Sequence, residues 1–239
     1  MKVGIVCEGM TDFHAINYYV SAAFQKKGLS IEFVALQPVP DNTSCGGWGN
    51  VFSWLENNPP SARESFFDRG LFANSKRLSS LDSILIHLDT DILSEKSFLN
   101  FLKNRNVNIG TSTSLIEQSS QLSMLIAHFA NLDQCAEAIA AKHIAAPIAE
   151  SSEAWCIAVD PEFKGSAEAL SGQALVNAFG VSFARFNRNM PKVVYAAINK
   201  NTKSRERYCK GTASEVARLQ SCTLFVSLVD KLSVIAPFR

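Results

Sequence analysis

The sequence predicts an α/β protein with a mostly parallel sheet flanked by helices and a mostly helical C-terminal part. Short aliphatic runs alternate with segments of helical period over the first 160 residues. One run, S-I-L-I-H-L at 83–88, is apolar enough for a strand buried on both faces of a parallel sheet. The chain has 239 residues, 47% of them hydrophobic and 19% charged, so it is long enough to build its own core.

The N-terminal part predicts a strand, a helix and a second strand. Residues 2–7 form a β-branched run, and residues 11–27 follow with apolar positions at 3- and 4-residue steps. Thr11 or Asp12 is the expected N-cap of this helix. Residues 31–36 then predict the second strand. The glycines of C-G-G-W-G at 45–49 lack the lysine-serine ending of a P-loop, so they predict a flexible loop rather than a phosphate cradle.

The rest of the chain predicts more helix than strand. The third strand at 83–88 is followed by an alanine-rich helical region at 114–142, broken near 131–133, and by a fourth strand at 144–148. A final helix is expected at 214–232. We predict an α/β domain at 1–160 and a helical extension packed on it at 161–239. A single domain is the alternative, because no change in composition marks the boundary.

Charge and cysteine usage bear on partners and location. The chain has 23 Lys and Arg against 22 Asp and Glu, which excludes a protein that coats nucleic acid by bulk charge. Any polyanion must therefore meet a local patch. Cysteines lie mostly in apolar runs without C-x-x-C spacing, which predicts reduced thiols and a cytoplasmic protein. The apolar run at 3–7 is too short for a signal peptide, and no stretch is long enough to span a membrane.

Carboxylates follow two of the predicted strands. Glu8 comes after the first strand, and Asp89 and Asp91 come after the third, with a spacing that sends both side chains to one side if the strand continues. The carboxyl ends of parallel strands form the ligand-binding edge of such sheets. Carboxylates that converge there repel one another unless a hard cation such as Mg²⁺ or Mn²⁺ lies between them. A solvated strand end is the alternative, and His87 is expected to be a core or second-shell histidine.

These motifs resemble the Toprim domain, the metal-binding fold of topoisomerases, primases and overcoming-lysogenization-defect type nucleases. E-G-x-T-D at 8–12, D-x-D at 89–91 and E-A-W at 153–155 follow the family's order. The resemblance implies a Toprim or Rossmann-like fold in which Glu8 is the general acid or base. It implies that Asp89 and Asp91 bind Mg²⁺ or Mn²⁺, that Glu153 extends the metal-binding cluster, and that Asp160 belongs to the last block.

The resemblance implies a magnesium-dependent nuclease that cleaves DNA or RNA, with a role and a protein partner in bacterial or mobile-element defence. The alternative from another class is a non-catalytic regulatory module that binds nucleotide or a partner protein. A phosphatase of the haloacid-dehalogenase kind fits less well, because Leu93 stands where that family has Thr or Val.

A basic segment near the C-terminus is the predicted nucleic-acid contact. Its cations alternate with aromatic residues, which suits phosphate contact combined with base stacking. A solvated surface is the alternative. The predicted binding residues are Lys200, Lys203, Arg205, Arg207 and Lys210, with Lys192, Tyr195 and Tyr208 in the same segment.

Overall fold

A four-stranded, all-parallel sheet lies at the centre of the protein, as seen in a computed structural model that describes residues 1–38, 46–67, 80–186 and 201–235. The strands are β1 (Lys2–Val6), β2 (Glu32–Gln37), β3 (Ser83–Asp89) and β4 (His143–Ile148). Their order is β2-β1-β3-β4, and every neighbouring pair is parallel. The predicted α/β fold with a parallel sheet flanked by helices is confirmed.

Helices connect the strands and continue beyond the last one. They are α1 (Met10–Lys26), α2 (Trp48–Asn57), α3 (Pro60–Glu64), α4 (Lys96–Asn104), α5 (Leu115–Phe129), α6 (Glu137–Ala140), α7 (Glu153–Ala158), α8 (Gly172–Phe186), α9 (Thr202–Thr212) and α10 (Thr223–Ile235). The predicted final helix is wrong in its first half, because Ala213–Ser221 forms a 3₁₀ segment instead. No helix in the described ranges is both long and apolar enough to cross a bilayer.

The sheet separates two hydrophobic cores. Along β3, Leu85 faces one core, whereas Ile84 and Ile86 face the other, as the two-residue period of a strand requires. Helices α1 and α7 to α10 cover the first face, and α2, α4 and α5 cover the second. Phe179 and Phe225, both beyond residue 160, belong to the first core. The C-terminal helices therefore share a core with the sheet.

The loop before α2 presses against the end of β1. The backbone N–H of Gly47 donates to the carbonyl oxygen of Glu8 at 3.0 Å, and a Cβ on Gly46 would lie 3.1 Å from the same oxygen. Gly47 also has a φ of 122°, which disfavours other residues. These two glycines allow the backbone to approach Glu8 closely, while Cys45 lies outside the described residues.

Candidate metal centre and active site

Six carboxylates meet at the carboxyl edge of the sheet. Glu8 follows β1, Asp12 lies in the first turn of α1, and Asp89 ends β3. The other three come from the segments after β3 and β4, namely Asp91, Glu150 and Glu153. The backbone N–H of Asp89 donates to Glu8 Oε1 at 3.0 Å, so the ends of β1 and β3 are joined through the side chain of Glu8.

Asp12, His87 and Asp89 lie closest together at this edge. One possible ligand atom from each lies within 4.8 Å of the others. His87 Nε2 is 3.2 Å from Asp89 Oδ1, and Nδ1 is 2.9 Å from the carbonyl oxygen of Ala146 on β4. Asp12 is held from its other side, because Ser152 Oγ donates to Asp12 Oδ1 at 2.7 Å. The three side chains form a compact group with the donor types that bind divalent cations.

Two buried polar atoms in this group lack hydrogen bonds. His87 is 0% exposed, and within the described part of the chain neither its Nε2 nor Asp89 Oδ1 has a hydrogen-bond partner. The two atoms are close to each other but are not aligned as donor and acceptor. A buried polar atom without a partner costs about 1–3 kcal/mol, so this edge favours a ligand that satisfies both atoms.

The crowding of negative charge raises the pKa of several of these acids. Burial, and then the nearby charge of Asp89, raises the pKa of Glu8 to about 9. Burial also raises the pKa of Asp89 well above its usual range, with further contributions from Asp12 and Glu153. The pKa of Asp91 rises to about 6, through partial desolvation and then the carboxylate of Glu150. Such shifts are expected where buried groups of like charge share a site.

Asp91 and Asp89 do not act as a same-side pair. Strand β3 ends at Asp89, and a 3₁₀ segment begins at Thr90, so strand alternation does not extend to Asp91. Asp91 is exposed at the rim and lies outside the compact group. His87, not Asp91, lies on the same side of the strand as Asp89, because residues 87 and 89 are two apart within β3. Asp12 and His87 are the members of the group that the sequence did not predict as ligands.

Glu153 begins α7 and faces Arg205 of α9. Its carboxylate forms an ion pair with Arg205 Nη2 and accepts from Ser151 Oγ at 2.6 Å. Burial alone would raise the pKa of Glu153, but the guanidinium of Arg205 and these hydrogen bonds outweigh burial and lower it. Arg205 thus neutralises Glu153 in this structure, and a direct metal contact from Glu153 stays a prediction.

The placement of Arg205 corrects one part of the predicted nucleic-acid surface. Arg205 is 1% exposed, its Nη1 donates to Ser152 Oγ at 3.2 Å, and its guanidinium lies 4.6 Å from the ring centroid of Phe179. A side chain enclosed in this way is not a surface phosphate contact. Helix periodicity explains the difference, since position 205 faces the core while Lys203, Arg207 and Lys210 are exposed. Tyr208 is also enclosed, at 1% exposed, so it is not available for the predicted base stacking. Lys192, Tyr195 and Lys200 lie outside the described residues.

Asp160 lies beyond the opposite end of α7 and has a structural role. Its carboxylate accepts from Ser182 Oγ at 2.7 Å and from Arg185 Nη1 at 2.8 Å, both on α8. Burial would raise the pKa of Asp160, but these hydrogen bonds outweigh burial and lower it. Asp160 therefore anchors α8 rather than extending the acidic edge.

A cavity of about 410 Å³ adjoins the acidic edge. Thr90 and Glu150 lie at its boundary with the carboxylates, and the backbone N–H of Glu150 donates to Thr90 Oγ1 at 2.8 Å. The remaining polar lining is rich in hydroxyl groups, from Ser166, Ser171 and Thr223 among others. Its size suits a nucleoside, and its lining combines hydroxyl groups with the carboxylates of Glu150 and Glu168, which accept hydrogen bonds from a sugar or a base and repel a phosphate.

The raised pKa of Glu8 predicts a pH-dependent gain in stability for Glu8→Gln. Burial raises the pKa of Glu8 in the folded state to about 9, from an ordinary 4.5. Below pH 4.5 Glu8 is protonated in both the folded and the unfolded state, so it does not lower the free energy of unfolding. As pH rises from 4.5 towards 9, the unfolded state loses this proton more readily than the folded state, and the free energy of unfolding falls. Without divalent ions, we expect the free energy of unfolding of Glu8→Gln to exceed that of wild type by about 1–3 kcal/mol at pH 8, and to equal it at pH 4. Urea unfolding at the two pH values measures this difference. A Glu8→Gln gain that does not change with pH would contradict this, and Glu215→Gln is the exposed control.

Comparison with known protein families, with curated proteins and with solved structures finds no match to this chain. The resemblance to the Toprim domain therefore rests on the motifs at 8–12, 89–91 and 153–155.

Proposed function

We propose that this protein is a divalent-metal-dependent nuclease that hydrolyses phosphodiester bonds in DNA or RNA. One observation carries the proposal. Asp89 Oδ1 and His87 Nε2 are buried 3.2 Å apart and form no hydrogen bond with any described residue, inside a cluster of carboxylates at the ligand-binding edge of the sheet. A bound cation would satisfy both atoms and relieve the repulsion among the acids.

The residues present fit such an ion. Asp12, His87 and Asp89 would hold Mg²⁺ or Mn²⁺, and the negative charges of Glu153 and Asp91, which help to raise the pKa of Asp89, would add to the attraction for a cation. The bound ion would supply electrostatic stabilisation for the negative charge that develops on the phosphate during cleavage. Ser152 orients Asp12 through its hydroxyl, and the carbonyl oxygen of Ala146 orients His87.

Glu8 is the proposed general acid or base. Its Oε1 accepts the backbone N–H of Asp89, which leaves Oε2 to carry the exchangeable proton. Hydrolysis adds one water across the P–O bond and yields a phosphomonoester and a free hydroxyl. Glu8 either takes the proton from the attacking water or gives one to the leaving oxygen, and the reaction balances in both cases. Its position between β1 and β3 fixes this carboxyl group against the metal-binding residues.

Helix α9 connects this site with the surface that we propose for nucleic acid. Arg205 faces inward to Glu153, while Lys203, Arg207 and Lys210 are exposed on the other side of the helix. We call these three exposed cations the α9 basic face. Their i, i+4, i+7 spacing aligns them along one stripe, which suits contact with successive phosphates.

We also place the protein in the cytoplasm, with a role in bacterial or mobile-element defence and a protein partner there. The described cysteines are free thiols, as the cytoplasm favours: Cys7, Cys135, Cys156, Cys209 and Cys222. The defence role and the partner rest on the Toprim resemblance alone.

The direct test is cleavage by the purified protein. Labelled single-stranded and double-stranded DNA and RNA would be incubated with Mg²⁺ or with Mn²⁺, and the products separated on denaturing gels. We expect shorter products with 5′ or 3′ phosphate ends, and none when a chelator removes the ion. Absence of cleavage of all four substrates with either ion would reject the nuclease proposal.

Removing the α9 basic face should weaken nucleic-acid binding without regard to sequence. For Lys203→Gln/Arg207→Gln/Lys210→Gln, we expect the slope of log K against log salt to fall by roughly 0.7–0.9 for each lost phosphate contact. Fluorescence anisotropy over a salt series measures this slope. The control variant neutralises three exposed lysines elsewhere, namely Lys96, Lys103 and Lys164. Equal slopes in wild type and the α9 variant would show that this face does not contact the backbone.

A regulatory module that binds a nucleotide is the second candidate function. The 410 Å³ cavity beside Thr90 and Glu150 favours it, because a cavity of this size with hydroxyl groups in its lining is large enough for a nucleoside and needs no catalytic step. Calorimetric titration with nucleoside monophosphates separates the two functions. Nucleotide binding by a wild type that cleaves no polymer would favour the module.

A further inference from the structure

We propose that His87 is a direct metal ligand through Nε2, and that the site therefore prefers Mn²⁺ to Mg²⁺. This inference rests on the proposed function only for the presence of an ion, and it concerns which ion binds and through which atoms. It differs from the all-carboxylate set that the D-x-D motif implies, because it replaces Asp91 with an imidazole nitrogen.

The hydrogen bond on the other ring nitrogen determines which atom of His87 is available. Nδ1 lies 2.9 Å from the carbonyl oxygen of Ala146, which can only accept, so Nδ1 carries the proton. His87 pairs with Ala146 in the β3–β4 register, so the sheet itself holds this contact in place. In the neutral ring, Nε2 then presents a lone pair. Metal-binding histidines commonly show this arrangement, with one nitrogen bound to a carbonyl and the other facing the ion.

The relation of Nε2 to Asp89 fits two ligands of one ion better than a hydrogen bond. The atoms are 3.2 Å apart but are not aligned for donation, and both are inaccessible to solvent. Two ligand atoms each about 2.1–2.2 Å from an ion and at right angles to each other lie roughly 3 Å apart. A histidine that served only as the charged partner of Asp89 would instead direct an N–H at Oδ1.

Asp12 completes the group from a second element, α1. Its side chain is 6% exposed, and Ser152 Oγ donates to one carboxylate oxygen, which restricts its rotation. The three ligands thus come from β3 and from the first turn of α1, two elements fixed by the same hydrophobic core. A nitrogen donor among carboxylates suits Mn²⁺ better than Mg²⁺, which prefers oxygen ligands and retains its waters.

The test uses metal binding and spectroscopy rather than activity. Metal-free protein would be titrated with Mn²⁺ and separately with Mg²⁺, and we expect Mn²⁺ to bind at least about ten-fold more tightly. Pulsed electron paramagnetic resonance of the Mn²⁺ complex should show modulation from a directly bound nitrogen. In His87→Leu we expect that modulation to disappear and Mn²⁺ affinity to fall at least about ten-fold, with a smaller change for Mg²⁺. His128→Gln, at an exposed histidine on α5, should match wild type.

Each outcome bears on a different proposal. Mn²⁺ bound to wild type without nitrogen modulation, or with the affinity of Mg²⁺, would overturn the role of His87 as a ligand, while the bound ion and the carboxylates would still support the nuclease proposal. Nitrogen modulation that persists in His87→Leu would assign the ligand to another residue. Failure of both ions to bind wild type would overturn this inference and the proposed function together. The wild-type spectrum decides the matter even if His87→Leu does not fold.

Discussion

Asp89→Asn is expected to abolish cleavage while the protein stays folded. The amide keeps the shape of the side chain but loses the charge that attracts the ion, and Asp89 is one of the three members of the ligand group. We expect a fall in kcat of at least about 10³-fold, which corresponds to about 4 kcal/mol of lost transition-state stabilisation. Cleavage rates under saturating Mg²⁺ or Mn²⁺ measure this effect, and circular dichroism checks the fold.

The same substitution should make the metal-free protein more stable. Burial and the charges of Asp12 and Glu153 disfavour an ionised Asp89, so removing its charge relieves the crowded edge. We expect a gain of about 1–2 kcal/mol in the free energy of unfolding with chelator present. Loss of activity together with loss of stability would show that Asp89 has a structural role. Asp133→Asn, at an exposed aspartate, is the control for both measurements and should behave like wild type.

The strands of the sheet were predictable because local chemistry determines them. The runs at 2–7, 31–36, 83–88 and 144–148 consist mostly of aliphatic residues that only a buried sheet accommodates, and each corresponds to an observed strand. The position of Glu8 and Asp89 at one edge follows from parallel topology alone. Helix α8 was missed, since its apolar residues do not stand out in composition from the segments around it.

The composition of the ligand group depends on contacts that no local pattern contains. Asp12 was predicted as an N-cap of α1, yet Gly9 is the N-cap, and Asp12 sits within the first turn, beside the end of β3. For His87 a usable pattern was present. The alternation argument applied to D-x-D holds only within the strand, and β3 ends at Asp89, so H-x-D at 87–89 is the pair that shares a face.

The inward position of Arg205 was also present in the sequence as a helical period. Arg205, Tyr208 and Cys209 lie three and four residues apart and are all buried, whereas the cations of the α9 basic face occupy the other positions. The total charge of the basic segment does not distinguish the buried face of α9 from its exposed face. The amphipathic period of α9 identifies which cation faces the core, but only the folded structure identifies Glu153 as its partner.

Arg205→Met should destabilise the protein strongly because it leaves the partly buried carboxylate of Glu153, whose side chain is 19% exposed, without a countercharge. Removing one partner of a fully buried ion pair costs about 3–5 kcal/mol, so we expect a loss of about 2–4 kcal/mol for this partly buried pair. Arg205 also donates to Ser152 and lies over Phe179, so the loss includes packing as well as charge. Urea unfolding at pH 8 measures the effect. Lys203→Met, on the exposed side of the same helix, should stay within about 0.5 kcal/mol of wild type.

The double variant Arg205→Met/Glu153→Gln separates lost charge from lost packing. If the unpaired carboxylate dominates, the double variant should recover most of the stability that Arg205→Met loses, since no unpaired charge remains. The pH dependence gives a second criterion. Without Arg205, burial raises the pKa of Glu153, so the penalty in the single variant should shrink as pH falls and Glu153 takes up a proton. A double variant as unstable as Arg205→Met at every pH would instead assign the role of Arg205 to packing between α7 and α9.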